Sequence, residues 1–183
     1  TEKKLQYNVE AKGLLKELRE NLNIKSIDDL RILNRYDIAG IEEDEYIRAR
    51  NTIFSEPTVD NVYDESIEIE ENETVFAVEY LPGQYDQRGD SAAQCMQILT
   101  QKERPLIRCA KVIIIKGNVA EEDIKKIKKY YINTVDSREA FLEKPDNLEM
   151  EMNIPDDVEI LEGFIDRSEE EIRDFREKHG LAM

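Results

Sequence analysis

Tryptophan is absent from this 183-residue chain, histidine occurs once, at His179, and cysteine twice, at Cys95 and Cys109. One histidine excludes most histidine-ligand metal centres and leaves Cys95 without a neighbouring imidazole to act as its base. The cysteines lack a C-x-x-C spacing and are too few for a disulfide scaffold or a zinc site, so both are expected as reduced thiols. No apolar run approaches the roughly 18 residues of a membrane span, and the opening TEKKLQYNV has no apolar signal segment. The expected compartment is the cytoplasm. Positive charge is scarce as well: 26 Lys and Arg stand against 42 Asp and Glu, a formal net charge of −16. Such a chain repels phosphate backbones and anionic lipid, so neither nucleic acid nor membrane is an expected partner.

Charged residues make up 37% of the chain, well above the roughly 25% of an average domain. They alternate with aliphatic positions instead of forming long blocks of one sign, as in a folded protein with a well-solvated surface. The length allows one or two domains that bury about 70% of the unfolded surface.

An internal repeat organises the pattern. QYNVEAKGLL starts at Gln6 and QYDQRGDSAA at Gln84, and this displacement of 78 residues can be followed downstream without gaps. It places Ile41-Glu42-Glu43 on Val119-Ala120-Glu121, the stripe Tyr46, Ala49, Ile53 on Ile124, Ile127, Tyr131, and Val62-Tyr63 on Ala140-Phe141. Identity is low but the hydrophobic pattern agrees, which points to an ancient duplication.

Each half reads as β-α-β-α-β. In the second, Val75 to Leu81 alternates like a strand, and Asp86 to Leu99 carries Ala92, Ala93, Met96 and Leu99 on one helical face. Pro105 to Gly117, with four consecutive β-branched residues from Val112, reads as a buried strand. A helix follows with acids in its first turn and lysines later, as the helix dipole favours, and a short strand at Arg138 to Leu142 closes the unit. The first half offers helix Val9 to Leu22, strand Leu30 to Ile38, helix Glu42 to Ile53 and a strand near Val59 to Tyr63. The counterpart of strand Val75 to Tyr80 would lie mostly before Thr1, so several further upstream residues forming an edge strand are expected.

A unit of about 78 residues with two helices on a three-stranded sheet buries little alone, so the copies should share a core or pack sheet to sheet. The expected fold is α+β, a pseudo-dimer of tandem duplicated β-α-β-α-β units with mainly antiparallel sheets and a C-terminal tail helix. The expected divisions are 1–67 for the first copy, 74–143 for the second and 144–183 for the start of a linker region. EIEENE, Glu68 to Glu73, reads as the solvated connector between copies, without calcium-loop spacing. In the tail, Ser168 and Glu171 form a capping-box pattern, Ile172 and Phe175 a stripe to be buried, Val158 to Leu161 a short apolar stretch, and Gly180 a helix stop. The ending HGLAM reads as an interrupted polypeptide, and the chain is expected to be a fragment.

LPGQYDQRGDSAAQC, residues 81 to 95, crowds together reactive-looking side chains. Its glycines Gly83 and Gly89 match neither a P-loop nor a dinucleotide fingerprint. Cys95 precedes Met96 on the helical stripe and is expected to be a buried, inert thiol. Arg88-Gly89-Asp90 is an incidental tripeptide in an acidic intracellular protein, and helix N-terminal charge accounts for Glu121, Glu122 and Asp123 without any substrate. No catalytic, cofactor-binding or metal residue emerges. The polar residues of the strand-to-helix corner, Gln84, Tyr85, Asp86, Gln87 and Arg88, remain as a candidate interface.

Phe76 to Pro105, together with LRILNRYDIAGI (Leu30 to Ile41) and NTIFSEPTVDNVYDE (Asn51 to Glu65), resembles the N-terminal region of the large single-chain phosphoribosylformylglycinamidine synthase of clostridial type. The resemblance spans essentially the whole chain, with the tail from about Asp156 similar to the start of that family's linker domain. It implies a module like a fused dimer of the small separate subunit used by other bacteria. It further implies that the parent is an ATP- and magnesium-dependent amidoligase of purine biosynthesis, converting formylglycinamide ribonucleotide to the amidine with glutamine-derived ammonia. The family's ATP, substrate and glutaminase residues lie in downstream synthetase and glutaminase domains, the implied partners, so no catalytic residue is carried onto this chain and the fragment alone is expected to be inactive. The implied role is to dock glutaminase to synthetase and shield ammonia, which protonates in neutral water and is lost as a nucleophile. From the residues alone, a stand-alone regulatory or interaction domain with a ligand or partner at the pseudo-twofold seam is the other reading.

Overall fold

Val112 to Ile115 are four β-branched residues in succession, stiff at χ1 and suited to a strand covered on both faces. In the computed structural model they form the middle of strand β5 (Leu106–Gly117), where Ile113, Ile114 and Ile115 are all essentially inaccessible to water. Residues 1–145, 147–148 and 160–178 are described, in two units, Thr1–Met150 and Glu151–Met183.

In the first unit the chain runs β1 (Glu2–Lys3), α1 (Val9–Glu20), β2 (Ile27–Ala39), α2 (Glu43–Arg50) and β3 (Asp60–Asn61). It then repeats the order as β4 (Glu73–Tyr80), α3 (Gln87–Thr100), β5, α4 (Glu121–Tyr131) and β6 (Ser137–Ala140). The fold is α+β. The strands form one antiparallel sheet in the order β3-β1-β2-β5-β4-β6. The halves therefore meet edge to edge through the long central pair β2·β5 instead of stacking sheet on sheet.

The strand register corrects the ungapped displacement of 78. The pair Glu2↔Leu33 has its counterpart in Glu79↔Ala110, and Glu2↔Asn61 and Lys3↔Asp60 in Glu79↔Arg138 and Tyr80↔Ser137. All of these are displacements of 77. Even the loop bond from Lys4 N–H to the Val59 carbonyl, 2.8 Å, recurs as Leu81 to Asp136 at 2.9 Å. The helices keep 78: Ala11, Leu14 and Leu18 correspond to Gly89, Ala92 and Met96, all buried. Val62-Tyr63 accordingly falls on Glu139-Ala140, and Tyr7, not Gln6, occupies the place of Gln84 in the turn. The reason is geometric: a one-residue slip turns every strand side chain to the opposite face.

Even-numbered residues of β2 and odd-numbered residues of β5 share the helix-covered face, where Leu30 faces Ile115, Ile32 faces Ile113 and Tyr36 faces Cys109. Two cores lie on it, each built from both halves. In one, Leu14 and Leu18 of α1 and Ile127 of α4 pack on Leu30, Phe76, Ile113 and Ile115. In the other, Ala49 of α2 and Ala92, Ala93 and Met96 of α3 pack with Phe54 on Ile107. Full burial of each large aliphatic contributes about 1.5–3 kcal/mol, so neither half holds its core without the other. Local chemistry ends the elements. Asn23 after α1 and Gln101 after α3 adopt left-handed conformations, and at Gly117 (φ +140°) a Cβ would lie 2.2 Å from the Ser26 carbonyl oxygen.

On the opposite face, Leu33, Ala77, Ala110, Ile114 and Ala140 are buried, and Arg35 donates to the Phe141 carbonyl at 2.6 Å as the chain turns back after β6. Phe141 itself lies beyond the strand and is exposed. The acidic connector is a turn in which Glu70 pairs with Lys116 at 2.7 Å. In the second unit, helix α5 (Glu169–Lys178) starts with Ser168 N–H donating to Glu171 Oε2 at 2.8 Å, and Phe164 meets Phe175 edge to face under the Arg167 guanidinium. Ile172, expected on a buried stripe, is exposed because its helix packs through Phe175. Ile160 and Leu161 are exposed as well, while Val158, His179 and Gly180 lie outside the described residues.

Candidate functional site

The strand-to-helix corner between β4 and α3 is held together mainly by its own polar side chains. Gln84 N–H closes a turn on the Leu81 carbonyl at 3.0 Å, and Gly83 adopts φ +88°. Asp86 caps α3: its Oδ1 accepts the Gly89 N–H at 2.9 Å and its Oδ2 the Cys109 N–H at 2.6 Å. That second bond serves an amide of β5 beyond Ala110, the last residue that β4 pairs. The Tyr85 hydroxyl donates to Asp90 at 2.9 Å, and Arg104 clamps the same carboxylate at 2.5 Å. Arg88-Gly89-Asp90 is thus the first turn of a helix, with Gly89 buried, and not an exposed loop. Of the five candidate interface residues, Gln84, Tyr85, Gln87 and Arg88 are exposed and Asp86 is half-buried.

Cys95 corrects its expectation. Met96 points into the core, so Cys95, about 100° around the helix, is turned out and exposed. It lines a cavity of about 680 Å³ whose wall also includes Asn34, Tyr36, Arg88, Cys109 and Lys111. Both cysteines of the chain therefore face one space. It lies along the seam between the halves: Asn34 sits directly opposite Lys111 in the β2·β5 ladder, and the strand displacement of 77 makes these two each other's counterparts. The pseudo-twofold axis passes between them.

Burial pushes the Cys109 thiol up, with the Asp86 carboxylate adding to the effect, so it stays protonated at neutral pH and is no nucleophile. Burial likewise raises the Tyr36 phenol, against the opposing pull of Arg88, and takes Tyr131 to about 12. Arg88 Nη1 donates to the Tyr36 hydroxyl at 3.2 Å. Asn34 Oδ1 is buried without a hydrogen-bond partner. The arrangement holds no nucleophile and base together. What it presents to the cavity is one guanidinium and a phenol, Arg88 and Tyr36. Among the described residues no group of three or more His, Cys, Asp or Glu is placed to hold a metal ion, and no helix is long and apolar enough to cross a membrane. A second depression, about 590 Å³, is lined by Lys4, Arg50, Asp60 and Tyr63, but Arg50 is already paired with Asp64 at 2.7 Å.

Asn34, Tyr36, Cys109 and Lys111 were missed by sequence reasoning. A signal existed: Lys111 interrupts an apolar run and Asn34 sits between Leu33 and the aromatic Tyr36, both at mid-strand. Comparison with protein-family models, with curated proteins and with solved structures found no match.

Proposed function

We propose that this chain is a non-catalytic structural module of a phosphoribosylformylglycinamidine synthase, docking glutaminase to synthetase and shielding ammonia between them. The parent would be an ATP-dependent, glutamine-using amidoligase of purine biosynthesis. Two things support this reading: the resemblance carried by Phe76 to Pro105, and the joining of two like halves through β2·β5. The second is the observation that carries it, since one chain then presents what a dimer of a small subunit would present, with twofold-related pairs recurring at one strand displacement. On this reading the halves arose by tandem duplication, with a one-residue difference between Tyr7-Asn8 and Gln84-Asp86. The module acts in the cytoplasm and needs no cofactor of its own; ATP and magnesium belong to the parent's other domains.

The test is made in the full-length enzyme. Substitution of the exposed Gln84, Tyr85 and Gln87 by alanine lowers glutamine-dependent turnover and leaves turnover driven by ammonium salt unchanged. Equal loss in both assays would count against docking.

A second reading is favoured by the seam cavity of about 680 Å³: a regulatory domain that binds a small ligand between its halves.

A further inference from the structure

One edge of β2 lacks a neighbouring strand from Tyr36 to Gly40. Its counterpart β5 is paired on both sides over the matching stretch, with β2 and with β4. β1, by contrast, meets β2 only at Glu2↔Leu33. At the strand displacement of 77, the partners Phe76↔Ile113 and Thr74↔Ile115 would recur opposite Tyr36 and Ile38, and among the described residues no strand stands there.

The backbone on that edge is open. The Asn34 N–H and carbonyl both bond to Thr1, each at 2.7 Å, so Asn34 turns its peptide groups away from β5. Direction alternates along an antiparallel strand, so Tyr36 and Ile38 turn theirs the same way. Cys109, opposite Tyr36, accordingly sends its N–H to Asp86 and not to β2. Among the described residues no backbone group bonds to the N–H or carbonyl of Tyr36 or Ile38 on this side. Packing agrees: Ile113 and Ile115 are fully buried, whereas Tyr36 and Ile38 are half-buried at the margin of their core. Unpaired backbone beside half-covered apolar side chains is what strand addition uses.

The neighbours set what fits. Phe76 fills the core of the second half, but in the first Phe54 already lies edge-on to Tyr36, with ring centroids 5.3 Å apart. The residue facing Tyr36 must therefore be smaller than phenylalanine. On the other face Arg35 and Asp37 pair with each other at 3.0 Å and call for no added charge. The open stretch is about 17 Å long.

We propose that this edge of β2 is a strand-acceptor site: it takes five residues of an extended partner polypeptide, antiparallel to β2, with small β-branched side chains facing Tyr36 and Ile38. The site follows from the pairing of the two halves and is independent of the parent ligase.

The probe is fluorescein-NETVV-amide, the sequence of Asn72 to Phe76 with valine in place of Phe76. Its binding to the 183-residue chain is followed by fluorescence anisotropy and by amide hydrogen exchange. In the free chain the Tyr36 and Ile38 amides exchange at least about tenfold faster than those of Ile113 and Ile115. The probe binds saturably and slows exchange at Tyr36 and Ile38. N-methylation of its threonine and last valine, whose N–H groups face β2, weakens binding about tenfold or more, whereas N-methylation of its glutamate and middle valine changes it less than about twofold. Ile38→Pro removes one outward N–H, which an open edge tolerates, and also weakens binding. Tyr36 and Ile38 amides as protected in the free chain as those of Ile113 and Ile115 overturn the proposal. So does equal binding of the two methylated probes, the mark of plain apolar adhesion. If light scattering shows a dimer with those amides protected and the probe does not dissociate it, the edge pairs copies of this chain and the proposal falls.

Discussion

Asp86 Oδ2 accepts the Cys109 N–H at 2.6 Å, tying the first turn of α3 to the strand beneath it, while Oδ1 holds the Gly89 N–H. Asp86→Ala removes a helix cap and leaves a strand amide without its acceptor, so a loss of about 2 kcal/mol is expected. Chemical denaturation with circular dichroism measures it, and Asp86→Asn, which keeps an acceptor for one of the two bonds, loses less.

Gly89 has no room for a side chain. A Cβ there would lie 2.6 Å from Asp86 Oδ2 and 2.7 Å from the Ile107 carbonyl oxygen. Gly89→Ala therefore destabilises by about 1–3 kcal/mol, although alanine is the better helix former. An unfolding temperature equal to or above that of the parent chain would contradict this close approach of helix to sheet.

Glu2 governs an acid-side loss of stability. Burial works to raise its carboxyl, but hydrogen bonds from Arg31 and from the Tyr63 hydroxyl, both 2.8 Å, outweigh burial and leave it below its ordinary value of 4.5. A carboxyl lowered in the folded state stabilises fully above its unfolded value and progressively less as pH falls through the folded one. Glu2→Gln is expected to cost about 1–2 kcal/mol at pH 7. The difference in unfolding temperature between parent and variant narrows as pH is taken below 4.5.

Because each core draws helices from both halves, the halves fold as one. A chain cut between Ser66 and Glu71 yields two pieces that are unfolded separately and recover helix and sheet when mixed. The uncut chain unfolds in a single transition over residues 1–145. Independent folding of either piece, seen by circular dichroism, would contradict the shared cores.

The element types and helical stripes were legible in the sequence because amphipathic helices announce a 3.6-residue period over several turns, as Leu14-Leu18 and Ile124-Ile127 do. The strand register was not. Ile32 and Leu33 are both buried, as are Ile113, Ile114 and Ile115, so the alternation that tells one face from the other is absent at the centre of the sheet. The displacement read from Gln6-Tyr7 and Gln84-Tyr85 therefore fits the helices and is one residue too long for the strands. The seam cavity was invisible for a related reason: Asn34 and Lys111 meet only once β2 and β5 pair, and no local pattern records that meeting. Cys95 was misplaced because adjacency to Met96 in a helix means a different direction, not a shared one.

The outermost strands are also among the shortest: β3 has two residues and β6 four. Fibril growth and strand exchange need a long, flat run of unpaired backbone to copy, and these ends offer scarcely one repeat of it. At these two ends, then, the sheet has little backbone with which to recruit a neighbour. The β-branched centre of β5 is itself paired on both sides, with β2 and with β4, while β1 meets β2 only at Glu2↔Leu33.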